Sequence, residues 1–155
     1  MTEMNKFNQA ILDSLPHWAM LIDVKHRTIL SANKLAIEGG ANLDCQCWDD
    51  FGHRLFISDE HKKLIKLNPE RKKDNKIMCD FCQADEAMDS RLPMRKEIEI
   101  EGIIWDTWWV PIDGDTYLHY AIDITDIRKA ESEKIKAAQY ESMFKTIAAV
   151  CHTIN

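Results

Sequence analysis

The apolar positions in the first 40 residues predict a helix, two strands and a second short helix. Phe7 and Ile11 recur at helical spacing, and Pro16 ends that pattern. The runs HWAMLID and RTILSAN are β-prone and flank VKH, which predicts a hairpin. NKLAIEGG then predicts a short helix ended by its two glycines, because glycine readily adopts the left-handed conformation at a helix terminus.

The middle of the chain is predicted to be helical and rich in loops. SDEHKKLIKLN predicts a helix with Ser58 as its N-cap. PERKKDNK predicts a solvated charged loop, and ADEAMDS predicts one or two helical turns.

The periodicity changes from Arg95 onward. KEIEIEG, IIWDTWWVPID and TYLHYAIDIT predict three strands with turns at Glu101-Gly102 and Asp113-Gly114. From Asp126 the chain contains no glycine or proline, which predicts a helix through to the end.

Together these elements predict an α+β fold: a five-stranded antiparallel sheet with helices on one face and a long C-terminal helix. We divide the chain into an N-terminal helix over residues 1–16, a domain over 17–125 and a helical segment over 126–155. The domain contains a cysteine-rich insertion at about residues 41–90.

Composition narrows the class of protein. The 155 residues are 45% hydrophobic and 30% charged, which predicts a soluble globular domain with an appended helix. No apolar run approaches the roughly 20 residues of a membrane span, and no secretory signal is recognisable, so we expect a cytoplasmic segment without membrane contact. A net charge of -6 argues against nucleic acid as a partner.

Two stretches of the chain resemble the PAS sensor domains. ILDSLPHWAMLIDVKHRTILSANKLA resembles their N-terminal helix, first hairpin and following asparagine, here Asn33. YLHYAIDITDIRKAE resembles their last strand and the Asp-Ile-Thr exit into a signalling helix, here residues 123–125. The resemblance covers residues 5 to 130 approximately and implies a PAS sheet with a ligand pocket on its concave face. Trp105 and Trp108 are candidates for lining that pocket, although the fold alone does not identify a ligand.

The cysteines are the strongest candidates for chemistry. Cys45 and Cys47 form one close pair, Cys79 and Cys82 form a CxxC pair, and Cys151 stands alone. Without an export signal we expect reduced thiols, and two close pairs suit a tetrahedral metal site. The alternatives are a reversible thiol–disulfide switch and inert buried thiols.

The arrangement also resembles metal-binding PAS sequences that combine a Cys-Trp pair and a nearby histidine with a later CxxC. That resemblance implies one set of metal ligands, with Cys45 as an alternate: Cys47, His53, Cys79 and Cys82. Zinc is the first choice because a mixed Cys/His set suits it, and an iron–sulfur cluster is the alternative because four thiolates serve it equally.

The sequence gives less support for other cofactors and for catalytic residues. CDFCQ only faintly resembles the flavin motif of light-sensing PAS proteins, and no histidine lies between His61 and His119 to bind haem, so neither flavin nor haem is expected. His17 and His119 are expected to be packed or hydrogen-bonded imidazoles, because no nucleophile or paired carboxylate accompanies them.

The C-terminal segment carries a coiled-coil pattern. Its apolar residues recur at spacings of 3, 4, 3 and 4, and they are Tyr140, Met143, Ile147, Val150 and Ile154. This pattern predicts a parallel homodimer, and the alternative is a helix packed on its own domain.

The final residues, AAVCHTIN, resemble the phosphoacceptor box of sensor histidine kinases. His152, Ile154 and Asn155 match, whereas Cys151 and Thr153 replace the usual alanine and acidic residue. The resemblance implies that His152 is the phosphoacceptor and that a response regulator is the partner of the full-length kinase. The chain has no ATP-binding domain, so the enzymatic activity would belong to a longer parent protein.

The sequence is therefore interpreted as the sensory PAS module of a two-component histidine kinase. A Cys/His metal or redox site would signal through a dimeric helix to His152. The alternatives are a PAS module that binds a small ligand and has a purely structural zinc, or a PAS regulator of another output such as a nucleotide cyclase.

Overall fold

The elements follow the order that the hydrophobic pattern predicts. The structure is a computed structural model that describes the backbone of residues 3–74 and 76–154 and the side chains of residues 6–72, 74 and 76–148. The helices are α1 (Glu3–Asp13), α2 (Lys34–Glu38), α3 (Asp59–Leu67), α4 (Ala84–Ser90) and α5 (Thr125–Ile154). The strands are β1 (Ala19–Asp23), β2 (Thr28–Ala32), β3 (Met94–Ile100), β4 (Ile103–Pro111) and β5 (Thr116–Asp123).

The strands form one five-stranded sheet in the order β2-β1-β5-β4-β3. β1 lies between β2 and β5 and pairs antiparallel with both. The predicted α+β architecture is confirmed: a hairpin, a helical middle section, a three-stranded meander and a long final helix.

The core lies on one face of the sheet, as predicted. Strand residues such as Met20, Ile22 and Trp109 pack in one buried cluster with Ala36 of α2 and Ala87 of α4. These small alanines allow the helices to approach the sheet closely, and large apolar side chains from the strands fill the space between them.

Local sequence signals account for several element boundaries. Ser58 Oγ accepts a hydrogen bond from the His61 backbone N–H at 3.2 Å, so it caps α3 as predicted. Glu101 and Gly102 have φ values of 53° and 81°, so the turn between β3 and β4 is a tight one with two left-handed residues. The charged stretch after α3 differs from the predicted loop, because Pro69–Lys73 forms a 3-10 helix capped by Asn68.

The chain divides into two compact units. The first comprises Met1–Ile98 and Asp106–Ile122, and the second comprises Glu99–Trp105 and Asp123–Asn155. Within the second unit, the Ile124 backbone N–H donates to Ile104 O at 2.9 Å and the Ile104 N–H donates to Thr125 Oγ1 at 2.9 Å. Asp123 Oδ1 accepts from the Thr125 N–H at 2.9 Å. The Asp-Ile-Thr segment thereby fastens the start of α5 to the start of β4.

Beyond this attachment, α5 has little packing of its own. Every described side chain from residue 129 to residue 148 is exposed. Three members of the predicted seam, Tyr140, Met143 and Ile147, are 61%, 50% and 50% exposed. The other two, Val150 and Ile154, have side chains outside the described residues.

Over the residues that the structure describes, no helix combines the length and apolar character needed to cross a membrane.

Candidate functional site

The loop that carries Cys47 is held against the start of β2. Gln46 forms an isolated antiparallel bridge with Thr28. On either side of it, Cys45 O accepts from the Ile29 N–H at 2.9 Å and the Cys47 N–H donates to Arg27 O at 2.9 Å. These backbone contacts place Cys47 beside Arg27 at the β1–β2 hairpin.

The CxxC segment forms a tight turn immediately before α4. The Cys82 N–H donates to Cys79 O at 2.9 Å, and the Asp80 N–H donates to Phe56 O at 2.8 Å. Between them, Phe81 packs edge-on against Phe56 with ring centroids 5.4 Å apart. The turn is therefore fixed at both its backbone and its central side chain.

The structure brings three of the five thiols into mutual interaction. Burial is the main cause that raises the pKa of the Cys47 thiol to about 12, and repulsion from the Cys82 thiolate is the second cause. Burial followed by Cys47 and Cys82 raises the pKa of Cys79, and burial is the main cause that raises the pKa of Cys82. All three are protonated at neutral pH, so forming thiolates here requires a compensating positive charge. Each remains partly accessible to solvent.

Arg27 lies next to these thiols and is almost completely buried, with 1% of its surface exposed. Its Nη2 donates to Asp85 Oδ1 at 2.6 Å and approaches Met78 Sδ at 3.5 Å. Among the described residues, its Nε and Nη1 have no hydrogen-bond partner. Burial alone would lower the pKa of Arg27, but Tyr117, Cys82 and Asp85 together raise it, so the guanidinium stays charged.

The backbone of Arg27 is also unusual. Its φ of 57° lies in the left-handed region, which a residue with a long side chain rarely adopts. Such a conformation persists only where the surrounding structure imposes it. The fold therefore holds a buried cation at this position against both strain and desolvation.

Tyr117 on β5 completes the group. It is 1% exposed, and burial, then Cys47 and Cys82, raises the pKa of its hydroxyl well above the usual value. The phenol is thus a neutral neighbour of the thiols. Neither Tyr117 nor Arg27 was predicted from the sequence. Tyr117 lies on the same face of β5 as His119 and Ala121, so the alternation along the strand could have indicated that it is buried. An arginine beside a hairpin turn is ordinarily exposed, so nothing in the sequence indicated the burial of Arg27.

Cys45 and His53 have surroundings that differ from those of the other three thiols. Burial and then Asp50 and Asp49 raise the pKa of Cys45, so its surroundings are acidic. His53 is exposed, with a φ of 46°, and its ring lies 3.6 Å from the position that a Cβ on Gly40 would occupy.

The three thiols suit a metal ion in their chemistry but are not arranged as a finished site. Within residues 6–72, 74 and 76–148, no group of three or more His, Cys, Asp or Glu side chains is placed to hold a metal ion. Thiolates are the preferred ligands of zinc and of iron–sulfur clusters, and the two orphan donors of Arg27 are what an anionic thiolate group would satisfy. The donor types therefore fit, and the ligand set Cys47, His53, Cys79 and Cys82 with Cys45 as alternate stays a prediction.

The two tryptophans predicted to line a pocket have different surroundings. Trp108 stacks on Tyr120 with centroids 6.0 Å apart and lies 5.6 Å from the guanidinium carbon of Arg95. Trp105 is half-buried. Alternation along β4 places Trp108 on the face opposite to the buried Trp109. Pocket lining by Trp105 and Trp108 stays a prediction.

Three histidines outside the predicted metal-ligand set, His17, His119 and His152, were also singled out in the sequence. The His119 ring stacks on Trp109 at 5.1 Å and its Nδ1 lies 2.9 Å from Trp108 O, which confirms a packed and hydrogen-bonded imidazole. Burial lowers its pKa to about 4. His17 packs on the Tyr120 ring at 5.0 Å, as expected. The side chains of His152 and Cys151 lie outside the described residues, so the phosphoacceptor assignment stays a prediction.

Comparisons with known proteins find distant structural similarity only. No protein-family model matches the chain, and no curated protein matches it. A domain of an HTR-like protein from Haloarcula marismortui is similar at 19% identity, over 72% of this chain and 100% of that chain, with a TM-score of 0.45. The PAS domain of BvgS from Bordetella pertussis is similar at 14% identity, over 91% and 96%, with a TM-score of 0.35.

Proposed function

We propose that this chain is a sensory PAS module whose thiols Cys47, Cys79 and Cys82 bind a metal ion, with zinc as the first choice. The observation that carries the proposal is the packing of thiols from two distant chain segments. Cys47 packs against the same core clusters as Cys79 and Cys82, and it is hydrogen-bonded through its backbone to the buried Arg27. An inert-thiol explanation does not account for Arg27, which is buried there with two unpaired donors.

The protein's part in binding is to bring the two segments together. The backbone hydrogen bond from the Cys47 N–H to Arg27 O fixes one segment, and the turn from Cys79 to Cys82 fixes the other. Ligation would displace the thiol protons to solvent, and the bound ion would supply the positive charge that stabilises thiolates. Cys45, His53 or a non-protein ligand would supply the fourth position. An iron–sulfur cluster is the alternative occupant, and a Cys79–Cys82 disulfide switch is the metal-free alternative.

The route from the site to the output runs along β5. Tyr117 neighbours the thiols, and the same strand ends at Asp123, two residues before the first residue of α5. A change in ligation that shifts Tyr117 would alter the strand that leads into the helix. Coupling of this kind requires an element with two arrangements, and a helix pair formed by α5 is our candidate.

We further propose that α5 forms a parallel homodimer and that His152 is the phosphoacceptor of a longer histidine kinase acting on a response regulator in the cytoplasm. The exposed Tyr140, Met143 and Ile147 support the helix pair, because they form an apolar stripe without a partner on the described chain. Sequence resemblance supports the role of His152.

The metal proposal is tested on protein purified anaerobically. We expect about one metal equivalent per protomer by elemental analysis, and a colourless protein if the metal is zinc. Cys47→Ser, Cys79→Ser and Cys82→Ser should each lose it. The matched variants Cys45→Ser and His53→Ala identify the fourth ligand, since only the ligand's variant loses metal. A metal-free, fully folded wild type would contradict the proposal.

The sensory role has a separate test in the full-length kinase. Removing the metal with a chelator, or oxidising the thiols, should change the rate of autophosphorylation. A rate indifferent to both treatments would instead favour a small-ligand sensor in which zinc is purely structural.

A further inference from the structure

We infer that Arg27 is the internal countercation of the thiol site and that its competition with Asp85 sets how tightly the site holds a divalent metal. This inference rests on the proposed metal site and adds a residue that is not itself a ligand. Arg27 would act as a positioning and charge-balancing residue.

The first support is the set of unmet hydrogen bonds on Arg27. Its Nη2 contacts Asp85 and Met78, whereas Nε and Nη1 are buried and make no close hydrogen bond among the described residues. The Tyr117 hydroxyl is a more weakly interacting neighbour of the guanidinium. Buried charged donors without acceptors are costly, and native proteins rarely keep them. Cys47 and Cys82 lie within electrostatic reach of the guanidinium and become strong acceptors when they are thiolates.

The second support is the charge balance of the site. A divalent ion bound by three thiolates carries one net negative charge, which is unfavourable in a desolvated location. One buried guanidinium cancels that charge. Arginine suits the role better than lysine, because it stays protonated when buried and offers several donors in a rigid plane.

Asp85 supplies an internal comparison, because its carboxylate pairs with the same guanidinium and, in addition to burial, also raises the pKa of Cys82 directly. Its carboxylate is 2.6 Å from Arg27 Nη2, and its side chain is 50% exposed, compared with 1% for Arg27. Removing this carboxylate leaves the cation in place and frees it to interact with the thiolates. The two substitutions should therefore move metal affinity in opposite directions.

The test uses Co²⁺ as a spectroscopic probe on the full chain, with affinity measured by competition against a chromophoric chelator. We expect Arg27→Met to weaken Co²⁺ binding at least tenfold and to keep the thiolate-to-cobalt charge-transfer intensity, which counts the thiolate ligands. Arg27→Lys should recover part of the loss. Asp85→Asn should tighten binding severalfold.

Several results would overturn the inference. Unchanged affinity in Arg27→Met, or an equal loss in Arg27→Met and Asp85→Asn, would mean that the ion pair only stabilises the fold. If Arg27→Met does not fold, Asp85→Asn is compared with Glu86→Gln, which removes a carboxylate that, in addition to burial, also raises the pKa of Cys82. Tighter binding in Asp85→Asn than in Glu86→Gln supports the inference, and equal or weaker binding overturns it. A wild type that binds no Co²⁺ would overturn the proposed metal site and the inference with it.

Discussion

The domain core buries its large apolar residues, whereas helix α5 exposes them to solvent. In the core, Trp109 and Tyr117 are each 1% exposed. In α5, Tyr140 is 61% exposed and Phe144 is 66% exposed. Burial removes apolar surface from water at roughly 25 cal/mol per Å², so the core gains this stabilisation within one chain and α5 does not.

This difference indicates that the two regions depend on different partners. A core that buries its aromatics can fold as a single chain. Isolated helices gain little stability from hydrogen bonding alone, and most helices in proteins rely on packing of one apolar face. The stripe on α5 would be buried in the homodimer that we propose, and the following predictions test this contrast.

The largest expected effect comes from truncating a core aromatic. Trp109→Ala should lower the free energy of unfolding by about 3–5 kcal/mol, because it leaves a large cavity between the sheet and α4. Its matched variant in α5, Tyr140→Ala, should change the stability of the monomer by less than about 0.5 kcal/mol. Denaturant titration at a protein concentration below that of dimerisation measures both. Equal losses would show that α5 packs on its own domain.

The second prediction concerns acid sensitivity of the core. His119 has its pKa lowered by burial to about 4 in the folded protein, against 6.5 for the ordinary imidazole. Between these values the unfolded chain binds a proton that the folded chain does not, so stability falls as pH decreases from about 6.5 to about 4. The loss should reach about 3 kcal/mol at the acid end, since each pKa unit corresponds to about 1.4 kcal/mol.

The matched variant for this prediction is His119→Gln, which cannot be protonated in that range. Stability measured by denaturant titration at several pH values should lose the corresponding part of its slope in the variant. A variant with the slope of the wild type would assign the acid sensitivity to other groups.

The third prediction addresses association of α5. Ile147→Lys places a charge in the exposed stripe and should weaken homodimerisation at least tenfold, which corresponds to about 1.4 kcal/mol. Lys134→Glu changes a charge on the opposite face of the same helix and serves as the control. Sedimentation or light scattering across a dilution series measures both. A dimer that tolerates Ile147→Lys would exclude this stripe as the interface.

The smallest expected effect concerns the start of α5. Thr125→Val removes the hydroxyl that accepts from the Ile104 N–H, and should cost about 1 kcal/mol. Thr125→Ser keeps the hydroxyl and should cost less. Thermal unfolding compares the two, and equal melting temperatures would show that the hydroxyl contributes nothing measurable.

Periodicity and turn residues were sufficient to predict the fold. Alternation in β3, the left-handed Glu101-Gly102 turn and the Ser58 cap are all local features that a single sequence displays. The 3-10 helix at Pro69–Lys73 was missed because its charged composition is equally compatible with a loop.

The candidate site was only partly predictable. Spacing identified Cys79 and Cys82 as a unit, because a two-residue separation is a local property. The position of the Cys45–Cys47 segment depends on the bridge between Gln46 and Thr28, a tertiary contact that spacing does not encode. Arg27 was missed because burial of an arginine at a hairpin is decided by distant segments, here Asp85 and Met78.

The fastening of Thr125 to β4 gives α5 the mechanical character of a lever. A helix rises about 1.5 Å per residue, so His152 lies roughly 40 Å along the axis from that anchor. A tilt of about 5° at the anchor would carry the far end sideways through roughly 3–4 Å, a substantial fraction of the roughly 8–10 Å between the axes of packed helices. A small displacement at the first turn of α5 would therefore be magnified into a change in the spacing of the proposed helix pair near residue 152.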